Sequence, residues 1–158
     1  MKDKVRIFSY LPNPRVWKSI IAANYGDIEI EVIGDKPRNL TNWLWDYDAK
    51  LLTESEKENY KDLKKVGKRG FAGELYKTSA FLEAHPFGTV PAAFSQNGNI
   101  CIFDSKSILR AVARVGEQCN LYGKDPYEAS RIDSFLDANL VFAREAQVYM
   151  LDYENISK

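Results

Sequence analysis

Residues 4–33 read as strand, helix, strand, an order that commits the opening of the chain to an α/β sheet and restricts its fold more than any other feature. Val5, Ile7, Phe8 and Tyr10 form a β-branched and aromatic run that ends at Leu11-Pro12-Asn13-Pro14, a strand running into a turn. Asn13 is placed to cap the helix that follows. Pro14 stands at its first position, where a missing N–H costs nothing, and Val16, Trp17, Ile20 and Ile21 form one apolar stripe before Gly26 stops it. The alternation Ile28-Glu29-Ile30-Glu31-Val32 is that of a half-buried strand.

A polar and aromatic stretch, residues 35–75, is far longer than the usual connection of about 2–6 residues, so it should hold structure of its own. Thr53 and Glu56 have capping-box spacing, and residues 54–65 suit a solvated surface helix. Gly67, Gly70 and Gly73 punctuate the return, and Lys64, Lys65, Lys68 and Arg69 read as a solvated basic cluster among acidic neighbours. Residues 76–84 carry a short helical pattern that ends at the turn His85-Pro86-Phe87-Gly88. Residues 89–94 and 100–103 then flank Asn97-Gly98, a hairpin signal. Asp104-Ser105 caps a helix with Ile108, Leu109, Val112 and Val115 inward and Gly116 after its last turn. Beyond Lys124, Asp125 and Pro126 open a long helix through Ile132, Phe135, Leu136, Leu140, Ala143 and Val148. That helix has no evident partner, which implies a further C-terminal part, a partner chain, or packing on the first domain. The domains expected are residues 1–118, with the insertion at 35–75, and residues 125–158.

With 158 residues the chain is long enough for one compact domain and too short for two complete ones. Lys plus Arg and Asp plus Glu both count 22, so no net field favours nucleic acid or an anionic membrane, and an anionic ligand must be held locally. Cys101 and Cys119 lack CxxC or metal-ligand spacing, and the single histidine, His85, cannot complete a zinc site, so no metal is expected. Cys101 reads as a buried strand residue, Cys119 as a loop thiol and His85 as a turn residue. No window approaches the roughly 18 apolar residues of a membrane span, and the opening lacks a secretory stretch, so a cytoplasmic setting is expected.

The run Lys77, Phe81-Leu82, Pro86-Phe87-Gly88, Val90-Pro91-Ala92, followed by Phe103-Asp104-Ser105 and Ile108, resembles the signature of the glutathione transferase superfamily in composition, order and spacing. The resemblance implies a thioredoxin-like α/β domain with a mixed four-stranded sheet, followed by the beginning of an all-α C-terminal domain. It also implies glutathione as co-substrate, a small electrophile as second substrate, and a homodimer.

By that resemblance Val90-Pro91 is the family's cis-proline site, where the Val90 N–H and C=O pair with the cysteinyl part of glutathione like an added strand. The Ser105 hydroxyl and the helix start would bind the γ-glutamyl carboxylate and Asp104 its ammonium, although both residues also read as a plain cap. Lys77 matches a basic position that meets the glycyl carboxylate in related transferases; on residue type alone it is equally a surface lysine. Thr89 stands where several relatives carry Gln or Lys for the same tripeptide. In the first turn, Arg15 matches the family's pattern, but Leu11 occupies the position of the sulfur-activating Ser or Cys. Ser9, Tyr10 and Asn13 flank that gap, so Tyr10 or Asn13 is the candidate to polarise the sulfur. Trp43, Trp45 and Tyr47 read either as packing anchors or as the wall of an electrophile pocket.

Two functions follow. One is a glutathione transferase, in which the thiolate attacks an electrophile. The other is a non-catalytic interaction module similar to the N-terminal region of the gamma subunit of translation elongation factor 1, which the chain also resembles at residues 10–15 and 112–114. A thiol-disulfide oxidoreductase ranks last, because no cysteine stands at the start of the first helix.

Overall fold

A computed structural model describes residues 4–67, 71, 73–116 and 120–151. The chain divides into two compact units, Met1–Cys119 and Asn120–Lys158. In chain order the first runs β1 (Val5–Tyr10), α1 (Pro14–Gly26), β2 (Ile30–Asp35), a 3-10 turn (Pro37–Asn42), β3 (Trp43–Trp45), β4 (Lys50–Leu51), α2 (Glu54–Asn59), a second 3-10 turn (Lys61–Leu63), β5 (Lys64–Val66), β6 (Glu74–Lys77), α3 (Ser79–Ala84), β7 (Ala92–Phe94), β8 (Cys101–Phe103) and α4 (Ser105–Val115). The second holds α5 (Pro126–Leu151).

Strands β2-β1-β7-β8 form a four-stranded sheet. β1 and β2 are parallel from Val5 opposite Ile30 to Tyr10 opposite Asp35, whereas β7 runs antiparallel to both β1 and β8. This is the mixed, thioredoxin-like sheet expected. The period of two along each strand divides the core. Val5, Ile7 and Ala93 face a cluster completed by Val16 and Ala23 of α1 and by Ile108 and Val112 of α4. Phe8, Ala92 and Phe94 face the other way, onto Leu40, Trp45, Leu75 and Phe81. Burying each large apolar side chain is worth about 1.5–3 kcal/mol, so both faces hold the sheet.

Several elements differ from the sequence reading. The buried face of α1 is Val16, Ser19 and Ala23, with Ile20 packed beside it; Trp17 and Ile21 lie off this face, because the sheet meets only one i, i+4, i+7 row. The hairpin arms shorten to three residues each. Lys77 and Tyr76 are strand rather than helix, since β6 pairs with β3 and β5, and the helix starts only after the Thr78 cap, whose hydroxyl accepts from the Phe81 N–H at 3.0 Å.

The insertion holds a second sheet, ordered β4-β3-β6-β5, which the sequence did not announce. The capping box is there: the Thr53 N–H donates to Glu56 at 2.9 Å while the Glu56 N–H donates to Thr53 Oγ1 at 3.3 Å. Lys50 adds an ion pair, and these contacts lower the Glu56 carboxyl to about 2, the Lys50 hydrogen bond contributing most. The helix nevertheless stops at Asn59. Tyr60 turns into a small cluster with Leu44, Leu52 and Tyr76, and Lys64–Val66 joins β6 instead. Trp45 is fully buried, donates its indole N–H to the Leu40 carbonyl at 3.0 Å, and meets Phe8, Phe71 and Phe81 edge-on. Tyr47 packs on Phe94 and donates its hydroxyl to the Gln96 carbonyl at 2.5 Å, beneath the Arg6 guanidinium. Gly98, at φ +73°, is required there, because a Cβ would lie 2.8 Å from the Tyr47 ring. Trp45 and Tyr47 are thus packing anchors. Lys68, Arg69, Gly70 and Cys119 lie outside the described residues.

In the second unit the Asp125 carboxylate accepts from the Tyr127 and Glu128 N–H groups at 2.8 and 2.9 Å, and Pro126 occupies the first turn as its fixed φ favours. Tyr122 donates its hydroxyl to Asp133 one face along the helix. Among the described residues no helix is long and apolar enough to cross a membrane.

Candidate functional site

Strand direction brings Tyr10, Val90 and Ser105 to one end of the main sheet. Phe8 stands opposite Ala92 and Ala92 opposite Phe103. Tyr10 ends β1, Val90 stands two residues before β7 and Ser105 two residues after β8, so the antiparallel pairings place all three at the same end of the main sheet. The Val90-Pro91 peptide bond is cis, as is Leu11-Pro12. Val90 precedes β7, and its N–H and C=O take no hydrogen bond among the described residues.

Asp104 and Ser105 play separate parts. Asp104, at φ 71°, is the cap of α4, and its carboxylate accepts from the N–H groups of Lys106 and Ser107, both at 3.1 Å. The Ser105 hydroxyl accepts from Lys18 Nζ, reaching over from α1, at 2.8 Å. Burial pushes the Lys18 ammonium below its ordinary value; Asp104 pulls it back up, and Lys106 and Arg15 push it down. The start of α4 therefore presents a hydroxyl and an ammonium together, with a carboxylate beside them. Such a set can hold both ends of an amino-acid zwitterion. Lys18 escaped the sequence reading; its one trace there is its position on α1 three residues after Arg15.

Asn13 is fully buried, and both ends of its amide are engaged. Nδ2 donates to Ser9 Oγ at 2.9 Å, and Oδ1 accepts from the Arg15 N–H at 2.9 Å as the cap of α1. Tyr10 is half-buried against the Phe8 cluster, and its hydroxyl has no partner among the described residues. Of the two candidates, Tyr10 keeps its donor available.

Lys77 does not stand at the surface. It is buried, with Nζ donating to the Gly88 carbonyl at 2.7 Å and lying 4.8 Å above the Trp45 ring. Gly88, at φ +55°, accepts this approach because a Cβ would come 3.0 Å from Leu82 and 3.3 Å from Lys77 Nζ. Thr89 donates its N–H to His85 Nε2 at 3.3 Å. Cys101 is half-buried, and burial raises its thiol to about 11, away from any nucleophilic role. Among the described residues no cluster of His, Cys, Asp and Glu could hold a metal ion. A cavity of about 640 Å³ opens between the hairpin and α4 at Phe94, Ile100, Ile102 and Val115, and none of the candidate residues lines it.

Solved structures match this architecture at low sequence identity. A Bombyx mori glutathione transferase in complex with GTT is 15% identical, with a TM-score of 0.53 over 92% of this chain and 53% of that one. A nematode-specific transferase of C. elegans is 16% identical, with a TM-score of 0.53 over 94% of this chain and 52% of that one. The fold is that of the glutathione transferases. A monomeric glutathione transferase of the hookworm Necator americanus matches likewise, at 16% identity and a TM-score of 0.52 over 97% of this chain and 54% of that one. A curated relative, probable elongation factor 1-gamma 1 of Arabidopsis thaliana, is 25% identical over 131 residues, 83% of this chain and 23% of that protein. No family model matches. The chain thus spans about half the length of these transferases and less than a quarter of the elongation factor relative. It resembles both.

Proposed function

We propose that this glutathione transferase-like chain binds glutathione across the Tyr10, Val90 and Ser105 end of the main sheet and transfers its sulfur to a small electrophile. The observation that carries the reading is the unpaired Val90 main chain, at the same end of the sheet as the Ser105 hydroxyl, Lys18 ammonium and Asp104 carboxylate at the start of α4. The cysteinyl backbone pairs with the Val90 N–H and C=O. The γ-glutamyl carboxylate meets Ser105 and Lys18, and its ammonium faces Asp104. Tyr10 donates its hydroxyl to the sulfur, which favours loss of the thiol proton; each unit of pKa lowering corresponds to about 1.4 kcal/mol. The thiolate then forms a sulfur–carbon bond with the electrophile as the leaving group departs. Lys77 and Thr89 act on this site through the 85–89 turn, since the Lys77 ammonium is engaged at Gly88. A homodimer in the cytoplasm completes the reading.

Calorimetric titration with glutathione, repeated with Ser105→Ala, tests the binding. Millimolar or tighter affinity weakened by the substitution is the expected result, with transfer to an activated chloroarene slowed by Tyr10→Phe. The second reading, a non-catalytic interaction module, is favoured by the elongation factor 1-gamma relative and by Leu11 at the activating position. Absence of glutathione binding by the folded protein decides for it.

A further inference from the structure

His85 is fully buried, and it touches both halves of the proposed site. Nε2 accepts from the Thr89 N–H at 3.3 Å, one residue before Val90. The ring stacks on Phe103, one residue before Asp104, with centroids 5.0 Å apart and planes at 10°. Its own backbone closes the turn, the N–H donating to Phe81 and the C=O accepting from Gly88, both at 2.8 Å.

Because Nε2 accepts, the proton of the neutral ring sits on Nδ1, and that atom is buried without a hydrogen-bond partner. A protonated ring would need an acceptor at each nitrogen, and Nδ1 has none. Packed against it are Phe81 of α3, Phe87 of the turn and Phe103 of β8, all apolar, while the charged group bearing on it is Lys77 of β6. Nothing there welcomes a second positive charge. Thr89 Oγ1, 3.4 Å from Nε2, is the one nearby hydroxyl.

We propose that His85 is a positioning residue whose neutral ring holds the Thr89–Val90 segment in register with Phe103–Asp104, and whose protonation releases that segment and weakens binding at Val90. The inference rests on the binding reading above for its ligand, though the coupling itself does not need one. Burial pushes the imidazole below its ordinary value; the Thr89 hydrogen bond acts against this, and Lys77 adds to it. The sign follows. The folded state favours the neutral ring, so its contribution is complete above about pH 6.5, the unfolded value, and is lost as pH falls toward the lower folded value.

His85 is the one histidine in the sequence, so a single imidazole signal reports it. Proton and nitrogen NMR of the intact chain between about pH 5 and pH 7.5 should show that signal titrating below about 6.5, with the Thr89 and Val90 amides moving at the same midpoint. Calorimetry should find glutathione affinity falling toward about tenfold per pH unit below that midpoint, one proton being released on binding. His85→Asn, which keeps an acceptor but cannot titrate, should bind independently of pH; His85→Phe, which keeps the stacking but no acceptor, should bind weakly throughout. An imidazole that titrates without moving the Thr89 and Val90 amides overturns the proposal. So does wild-type affinity that stays level while the ring protonates. A protein that binds no glutathione at any pH removes the binding reading, and the amide titration then judges the positioning role alone.

Discussion

Replacing Asp104 separates the cap of α4, which the carboxylate forms, from the recognition of an ammonium proposed for it at the same place. Its oxygen accepts from two helix N–H groups at 3.1 Å, and its backbone sits at φ 71°. Asp104→Ala removes the acceptor, worth about 1 kcal/mol, and leaves a Cβ at positive φ without the local hydrogen bonds that let Asp tolerate it, for a total near 1.5–2 kcal/mol. At about 3 °C per kcal/mol for a protein of this size, the melting temperature should drop by ~5 °C. Asp104→Asn keeps an acceptor and loses only the charge near the helix dipole, about 0.5 kcal/mol, or ~1–2 °C. Asp104→Gly should fall close to Asn, since it relaxes the backbone as it loses the cap. Affinity should rank differently. The Asp104 side chain is exposed, so screening limits its attraction for an ammonium to about 1 kcal/mol, and all three variants should bind glutathione roughly fivefold more weakly. Scanning calorimetry and titration calorimetry on the same four proteins read both quantities. An Asn variant as unstable as the Ala variant refutes the capping argument, and one with undiminished affinity refutes the ligand role.

Lys18→Met should lower glutathione affinity about fivefold while shifting stability by no more than about 0.5 kcal/mol; unchanged affinity in titration calorimetry would remove Lys18 from the site. Trp45→Ala should cost about 3–5 kcal/mol in urea unfolding, and a loss below about 1 kcal/mol would contradict its place in the shared core. Cys101, held near 11 by burial, should react with a disulfide reagent at pH 7 far more slowly in the folded Cys119→Ser protein than after denaturation, and equal rates would show an open thiol.

The main sheet was legible because its signals are local. Asn13-Pro14, Asn97-Gly98 and Asp104-Ser105 each specify a cap or a turn through their own backbone chemistry, and each does so in the structure. The second sheet was not legible, because β3 and β5 are three residues long, too short a run for periodicity, and β3 joins β6 from a distant stretch of chain. At the site, Val90 and Asp104-Ser105 were visible as a motif, whereas Lys18 became visible only when α1 packed beside α4 and brought its ammonium to Ser105. Lys77 shows the converse. Its residue type suggests a surface, and a carbonyl at 2.7 Å together with an indole face allows it an interior.

The insertion's place in the core has a consequence for how the first unit comes apart. Leu40, Trp45 and Leu75 share one cluster with Phe8 and Phe94 of the main sheet, and Tyr47 ties the same segment to the hairpin tip. A surface loop can be trimmed at small entropic cost, but excising residues 36–74 would leave Phe8 and Phe94 facing water. Hydrogen exchange of the β3 and β6 amides should accordingly keep pace with that of β1 and β7, as one cooperative melting unit in which the longest insertion serves as the second half of the domain's interior.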